Sequence, residues 1–301
     1  MIEVQTIKTD WKNLPAGLIW YIVGQPKSGK TTALSKWSPL GQEGVLIIDT
    51  DLGGDFVDGA NIVPCIGLNA PLKPLMMKGE QVVLDGDLVW ERDDDGNHVI
   101  IPPEERGYNY RIGPNKGKPM PVYSLNEIAS WLAKEWDDLP YDTVVLDTID
   151  KINVWNEERT CARLGINAMG DGSFGNDWAG AKKGVMKTFT FFQTMVKQKG
   201  GTLIIVSHSK ETTIIPAKGN KKAVTQLGPA LPNGLVTQLT GQADVIGYTT
   251  GENKEGKYLI SFEAYSERKV GSRLRPIAQK ELEFNYETII SVINNYSEGD
   301  K

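Results

Sequence analysis

Gly24-Gln25-Pro26-Lys27-Ser28-Gly29-Lys30-Thr31 follows directly on the apolar run Leu18-Ile19-Trp20-Tyr21-Ile22-Val23 and meets every position of the pattern G-x-x-x-x-G-K-[ST]. Upstream the run reads as a strand; downstream Thr32-Ala33-Leu34-Ser35-Lys36-Trp37 reads as a helix. A glycine-rich turn between a strand and a helix is the setting in which this pattern cradles phosphates, because glycines let the backbone curl around an anion without obstructing side chains. Coincidence is the alternative, and the flanking strand and helix weigh against it. Lys30 is spaced to reach the β and γ oxygens of a nucleoside triphosphate, and Thr31 to ligate Mg2+. Gly24, Gln25, Pro26, Lys27, Ser28, Gly29, Lys30, Thr31 and Thr32 together form the expected nucleotide cradle at the positive end of the helix. Gln25 stands where the deviant loop of partition and nitrogenase-type ATPases carries lysine, so that branch is excluded.

Working outward, three further apolar runs have polar tips: Val45 to Asp49, Thr143 to Asp147 and Thr202 to Ser207. Alternation of such runs with helical stretches predicts an α/β fold, a mostly parallel central sheet flanked by helices. Open sheets of this kind bind ligands at the carboxyl ends of their strands, which makes these tips the functional candidates. Asp147 is expected to hold the metal through water, with a plain helix cap as the alternative. Thr148 follows it, so no adjacent glutamate is available as a base. Asp49 and Asp51, two apart on an extended chain, are expected on one face. Asp51 is the candidate base, Asp49 its structural neighbour, and an ordinary acidic turn the competing reading. His208 or Ser207 is placed to sense the γ-phosphate, although a histidine at a strand end can also be a hydrogen-bonded loop residue.

Two stretches read as loops that could meet nucleic acid. Leu164 to Gly180 is glycine-rich around Phe174 and Trp178, whose rings could stack on bases or pack the loop down. Glu211 to Leu235 reads as a long basic loop with Lys218, Lys221 and Lys222, preceded by Lys210; a solvated surface loop is the alternative. Arg268 and Arg273 lie in a cationic cluster after a strand, where they could reach a neighbouring copy's γ-phosphate or form a plain basic turn.

The 301 residues are read as one domain with an insertion at about 70–123, where proline, glycine and charge accumulate around one legible β-hairpin with the turn Asp93-Asp94-Asp95-Gly96-Asn97. That turn is not a calcium loop, since the position for a bidentate glutamate falls on Pro102. Helices are expected from Ser124 to Trp136, capped by Ser124 or Asn126, and from Gly180 to Lys199, with Val185, Phe189, Phe192 and Met195 on one face. Strands follow from Ala243 to Thr249 and Lys257 to Tyr265, then a strand-helix or helix from Glu281 to Tyr296. Cys65 and Cys161, with no C-x-x-C and no histidine beside them, read as buried reduced thiols. A net charge of −5 argues against a chain that coats nucleic acid over its whole surface, though not against a local basic loop. No apolar run approaches the roughly 20 residues needed to cross a bilayer, and Met1 to Asp10 lacks the apolar centre of a signal peptide, so a cytoplasmic location without membrane partners is expected.

Taken in order, GQPKSGKTT, IIDTD, VVLDT and IIVSHS resemble the RecA-like core ATPases, in particular the short phage-type recombination ATPases that pair with single-strand annealing systems. The resemblance runs from about Trp20 to Arg275 apart from the insertion. It implies a RecA-like P-loop fold, ATP and Mg2+ as cofactors, and a homo-oligomeric ring or filament on single-stranded DNA, in host cytoplasm if phage-encoded. An annealing or single-strand-binding protein is the implied further partner. Lys30, Asp51, Asp147 and His208 would act in hydrolysis, with Arg268 or Arg273 as the trans-acting cation. The loops after Asp147 and His208 would bind the strand through Phe174, Trp178, Lys218, Lys221 and Lys222. Where the family carries a catalytic glutamate this chain has the shorter Asp51, which implies slow or DNA-stimulated turnover. A nucleotide-switched accessory protein, such as a helicase loader, is the rival; a small-molecule kinase is disfavoured because no arginine-rich lid is legible.

Overall fold

Strands β1 (Ile19–Gly24), β2 (Val45–Asp49), β3 (Ile62–Pro64), β4 (Thr143–Asp147) and β5 (Thr202–Ile215) form the parallel centre of a ten-stranded sheet. The remaining strands are β6 (Val224–Pro229), β7 (Val245–Glu252), β8 (Tyr258–Ser261), β9 (Gly271–Ser272) and β10 (Glu281–Glu283). This computed structural model describes residues 17–84, 87–215, 224–263 and 270–296. The spatial order is β10-β8-β7-β1-β5-β4-β2-β3, with β6 added to β5 and β9 to β7. From β7 through β3 neighbours run parallel, whereas β6, β8, β9 and β10 attach antiparallel. This is an α/β architecture with a mostly parallel central sheet flanked by helices, as the alternating apolar runs imply.

The strand alternation sorts the core into two layers. Ile19, Tyr21, Val23, Leu46, Ile48, Val144, Leu146, Leu203 and Ile205 face one side; Trp20, Ile22, Val45, Ile47, Val145, Ile204 and Val206 face the other. Both sides are buried, so these strands read as unbroken apolar runs. Helices α2 (Leu125–Glu135), α3 (Ile149–Leu164), α4 (Asn176–Gln198) and α5 (Asn233–Gln242) cover the first side, and α6 (Tyr286–Asn294) the second. On α4, Val185, Phe189, Phe192 and Met195 are buried together as the periodicity predicts.

Helix α1 (Lys30–Leu34) is shorter than its sequence suggests. The chain leaves it at Ser35 so that Trp37 can pack edge-on against Trp20, Phe284 and Tyr286, with centroids 5.1, 5.4 and 6.3 Å away. Ser124 rather than Asn126 caps α2, and Glu127 completes a capping box. The buried guanidinium of Arg106 clamps both Glu127 oxygens at 2.7 and 2.8 Å and thereby ties the insertion to α2. Its hydrogen bonds hold the Glu127 carboxyl down at about 2.

Several expectations need correction. The insertion contains more than one hairpin: Met76–Met77 pairs with Glu80–Gln81, Val83–Leu84 with Asp87–Leu88, Arg92 bridges to His98, and Asn109 bridges to Pro119. The stretch Glu211 to Leu235 is not a long loop, since β5 runs on to Ile215, β6 returns antiparallel beside it, and α5 begins at Asn233. Lys218, Lys221 and Lys222, and likewise Arg268, lie outside the described residues. The loop after α3 is shortened at both ends, from Gly165, the left-handed cap of α3, to Gly175, the residue before α4. Cys65 is buried, whereas Cys161 is only half-buried; both are free. Glu281 to Tyr296 forms a strand followed by a helix. No helix among the described residues is long and apolar enough to cross a membrane.

Candidate functional site

Sheet register brings the polar tips to one edge. Gly24 lies beside His208 on one side and Thr249 on the other, and Asp147 lies between Asp49 and Val206. Strand β5 therefore separates the glycine-rich loop from the strand that ends in Asp147.

Close approach dictates the glycines of the loop. A Cβ on Gly24 would stand 1.7 Å from Thr249 Oγ1, and Ser28 Oγ hydrogen-bonds that same hydroxyl at 2.6 Å. Gly29 has φ +78°, and a Cβ there would meet the Tyr258 ring at 2.4 Å. Thr249 and Tyr258 thus hold the loop from β7 and β8, a support that the loop's own sequence does not reveal.

Within the loop, Lys30 Nζ donates to the carbonyls of Gly24 at 3.1 Å and Gln25 at 2.7 Å. Burial lowers the lysine's pKa, opposed by the charges of Asp147, Asp150 and Asp51. Thr31 Oγ1 donates to Asp147 Oδ2 at 2.6 Å. Burial lifts the Asp147 carboxyl to about 6, with Asp49 and Asp51 pushing the same way and the Thr31 hydroxyl and Lys30 pulling back. The carboxylate thus turns to the loop instead of capping α3, whose N-cap residue is Thr148. A hydroxyl and a buried carboxylate in contact, with acids crowding the carboxylate, are a hard-oxygen donor set that fits Mg2+. Thr31 would ligate it and Asp147 would hold it through water.

Asp49 and Asp51 do not share a face. The strand ends at Asp49, which turns inward: its carboxylate accepts the N–H of Asp51 at 3.1 Å and of Gly54 at 2.6 Å. Burial raises its pKa. Those bonds fold the Asp51-to-Gly54 turn and leave the Asp51 side chain half exposed, with Oδ2 3.9 Å from His208 Nε2.

Asp150, which no motif marks, organises His208. It accepts the Ser207 hydroxyl, the His208 N–H at 2.5 Å and a 3.2 Å contact from His208 Nδ1. This hydrogen bonding raises the His208 pKa; burial opposes it, and the charge of Asp51 supports it. In sequence, an acid in the first turn of a helix reads as a dipole-complementing residue, so its second role is invisible. Thr50 is similarly hidden: its hydroxyl bonds both the N–H of Thr148 at 2.7 Å and its carbonyl at 3.1 Å, joining the two acidic strand ends.

Beyond Asp51 and His208 lies a cavity of about 500 Å³, lined also by Thr148, Asp150, Trp178 and Lys210. Trp178 is partly exposed on this wall, while Phe174 is fully exposed at φ 55° and does not pack the loop down. Buried Asp177 secures the loop base by accepting the Gly170 N–H at 2.6 Å. Arg273 lies elsewhere: at the opposite edge of the sheet it pairs with Asp244 at 3.0 Å and donates to the Gly241 carbonyl, and Asp244 also accepts the N–H of Ile19, which starts β1. It is not brought to this chain's own loop.

A family model described as AAA domain matches residues 16–275. No curated protein matches the chain.

Proposed function

The chain belongs to the AAA domain family, a family of nucleotide-binding ATPases, and on that footing we propose that it hydrolyses ATP with Mg2+ as a homo-oligomer on single-stranded DNA, in phage recombination or replication. One observation supports this reading above others: a single cavity is lined by Asp51 and His208 together with Trp178 and Lys210. A strand held there touches the residues that face the reacting phosphate.

Lys30 and the N–H groups of the loop bind and orient the triphosphate. Mg2+, held by Thr31 and Asp147, supplies charge neutralisation at the phosphate oxygens. Asp51, the exposed carboxylate of the pair, orients the attacking water and accepts its proton. His208, fixed from behind by Asp150, presents Nε2 to Asp51 and transmits the state of the site into β5 and β6, which run outward from it. Because aspartate reaches one methylene less far than glutamate, turnover is slow until the strand aligns the site. Arg268 or Arg273 of an adjacent copy completes the charge stabilisation. An annealing or single-strand-binding protein is the partner this role calls for.

A second reading, a nucleotide-switched accessory ATPase such as a helicase loader, is favoured by the fully exposed Phe174, a ring suited to a protein partner. ATP turnover with and without single-stranded DNA separates the two, with Lys30→Ala as control. Stimulation that disappears when Lys218, Lys221 and Lys222 become alanine supports the DNA reading. Turnover indifferent to DNA refutes it in favour of the switch, and phosphate transfer to a metabolite would make the protein a kinase.

A further inference from the structure

The cavity beside Asp51 has the chemistry of a pocket for a nucleotide unit. Trp178, in the first turn of α4, offers a partly exposed ring as one wall. Next to Asp147, Thr148 is 1% exposed, and its Oγ1 has no hydrogen-bond partner among the described residues although its backbone N–H and carbonyl are both satisfied by Thr50. A buried hydroxyl left unpaired costs free energy unless a ligand or water meets it. Lys151 and Lys210 reach the same cavity, and neither forms an ion pair among the described residues.

The acids that also line it are engaged. Asp150 is taken by Ser207 and His208, Glu157 accepts from Asn153 Nδ2 at 2.7 Å, and Asp51 faces His208. The lining offers an occupant an aromatic face, a buried unpaired hydroxyl and two ammonium groups, beside the carboxylates of Asp51, Asp150 and Glu157. A volume of about 500 Å³ is ample for one base with its sugar and phosphate.

We propose that this cavity takes one nucleotide of the bound single strand, its base stacked on Trp178 with an edge at Thr148 Oγ1 and its phosphate between Lys151 and Lys210. The proposal rests on the nucleic-acid reading above and adds that the strand is read through a base, next to Asp51, and not through its backbone alone. Occupancy then bears directly on the Asp51–His208 pair.

The test uses the full chain with Mg2+ and a non-hydrolysable ATP analogue, and compares binding of oligothymidylate with an abasic phosphodiester of the same length by fluorescence anisotropy. Stacking of this kind predicts abasic binding about tenfold weaker, with the preference lost in Trp178→Ala and kept in Trp178→Phe. The wild-type comparison needs no variant to fold. Equal affinity for both strands sinks the pocket and leaves the DNA reading standing. No binding of either strand sinks both. Displacement of the oligonucleotide by an equimolar amount of thymidine monophosphate overturns a strand as the source of the nucleotide.

Discussion

Replacing Asp147 with asparagine is expected to make the nucleotide-free protein more stable while removing its hold on Mg2+ and nucleotide. Burial, reinforced by Asp49 and Asp51, lifts the Asp147 carboxyl from an ordinary 3.8 to about 6. The folded chain therefore keeps this proton up to about pH 6, whereas the unfolded chain releases it near 3.8. The stability that Asp147 contributes is full below 3.8 and lost as pH rises through about 6. A shift of about two units at ~1.36 kcal/mol each puts the cost of the ionised carboxylate near 3 kcal/mol at pH 8. Asparagine carries no charge and can still accept the Thr31 hydroxyl, so Asp147→Asn recovers most of that cost. At ~2.1 cal/mol/K of unfolding entropy per residue, the 301-residue chain should gain about 5 °C in Tm. Thermal unfolding in EDTA at pH 8 and pH 5 reads it, and the gap between variant and wild type should shrink to about half at pH 5. Addition of Mg2+ and ATP should raise the wild-type Tm and leave the variant where it was. A variant less stable than wild type at pH 8, or a gap of the same size at both pH values, would refute the reasoning.

Gly29→Ala should weaken triphosphate binding at least tenfold, because the left-handed backbone costs alanine about 1–2 kcal/mol and its Cβ would meet the Tyr258 ring. Titration with a fluorescent nucleotide measures this, and Tyr258→Ala added to it should recover only part of the loss. Asp150→Asn should lower the His208 pKa, since hydrogen bonding to that carboxylate is the main cause of its rise; with His98 the only other histidine, NMR titration follows the ring directly. An unchanged His208 titration in that variant would show that Asp150 does not position the ring. Ser124→Ala should cost about 1 kcal/mol of stability by removing the capping hydroxyl of α2, read by denaturant unfolding at pH 7.

How much was legible follows from the range of the forces involved. Strands β2 and β4 occur with the bounds their apolar runs predict, and the α4 face of Val185, Phe189, Phe192 and Met195 follows from helical period, because burial patterns are written into neighbouring residues. Helix α1 stopped early because Trp37 found partners from the far end of the chain. Asp49 and Asp51 parted because hydrogen bonds to Gly54 and Asp51 turned Asp49 inward where the strand ended. The segment after Lys210 looked like a loop because its glycines, prolines and lysines leave little alternation to read, whereas the pairing that makes it two strands is set across the chain.

Chemistry that lies within a few consecutive residues was decided by sequence: the cradle from Gly24 to Thr32, the buried strands, and the acids at their tips. Local sterics and alternation suffice for these, since each depends on nearest neighbours along the chain. Only tertiary structure decided which groups serve one another. Thr31 meets Asp147, Asp150 fixes His208, Tyr258 presses on Gly29, and Trp178 shares a cavity with Asp51. Those pairings cross tens to hundreds of residues and depend on strand order and register, which are set by how the two buried layers pack and not by any short run of residues.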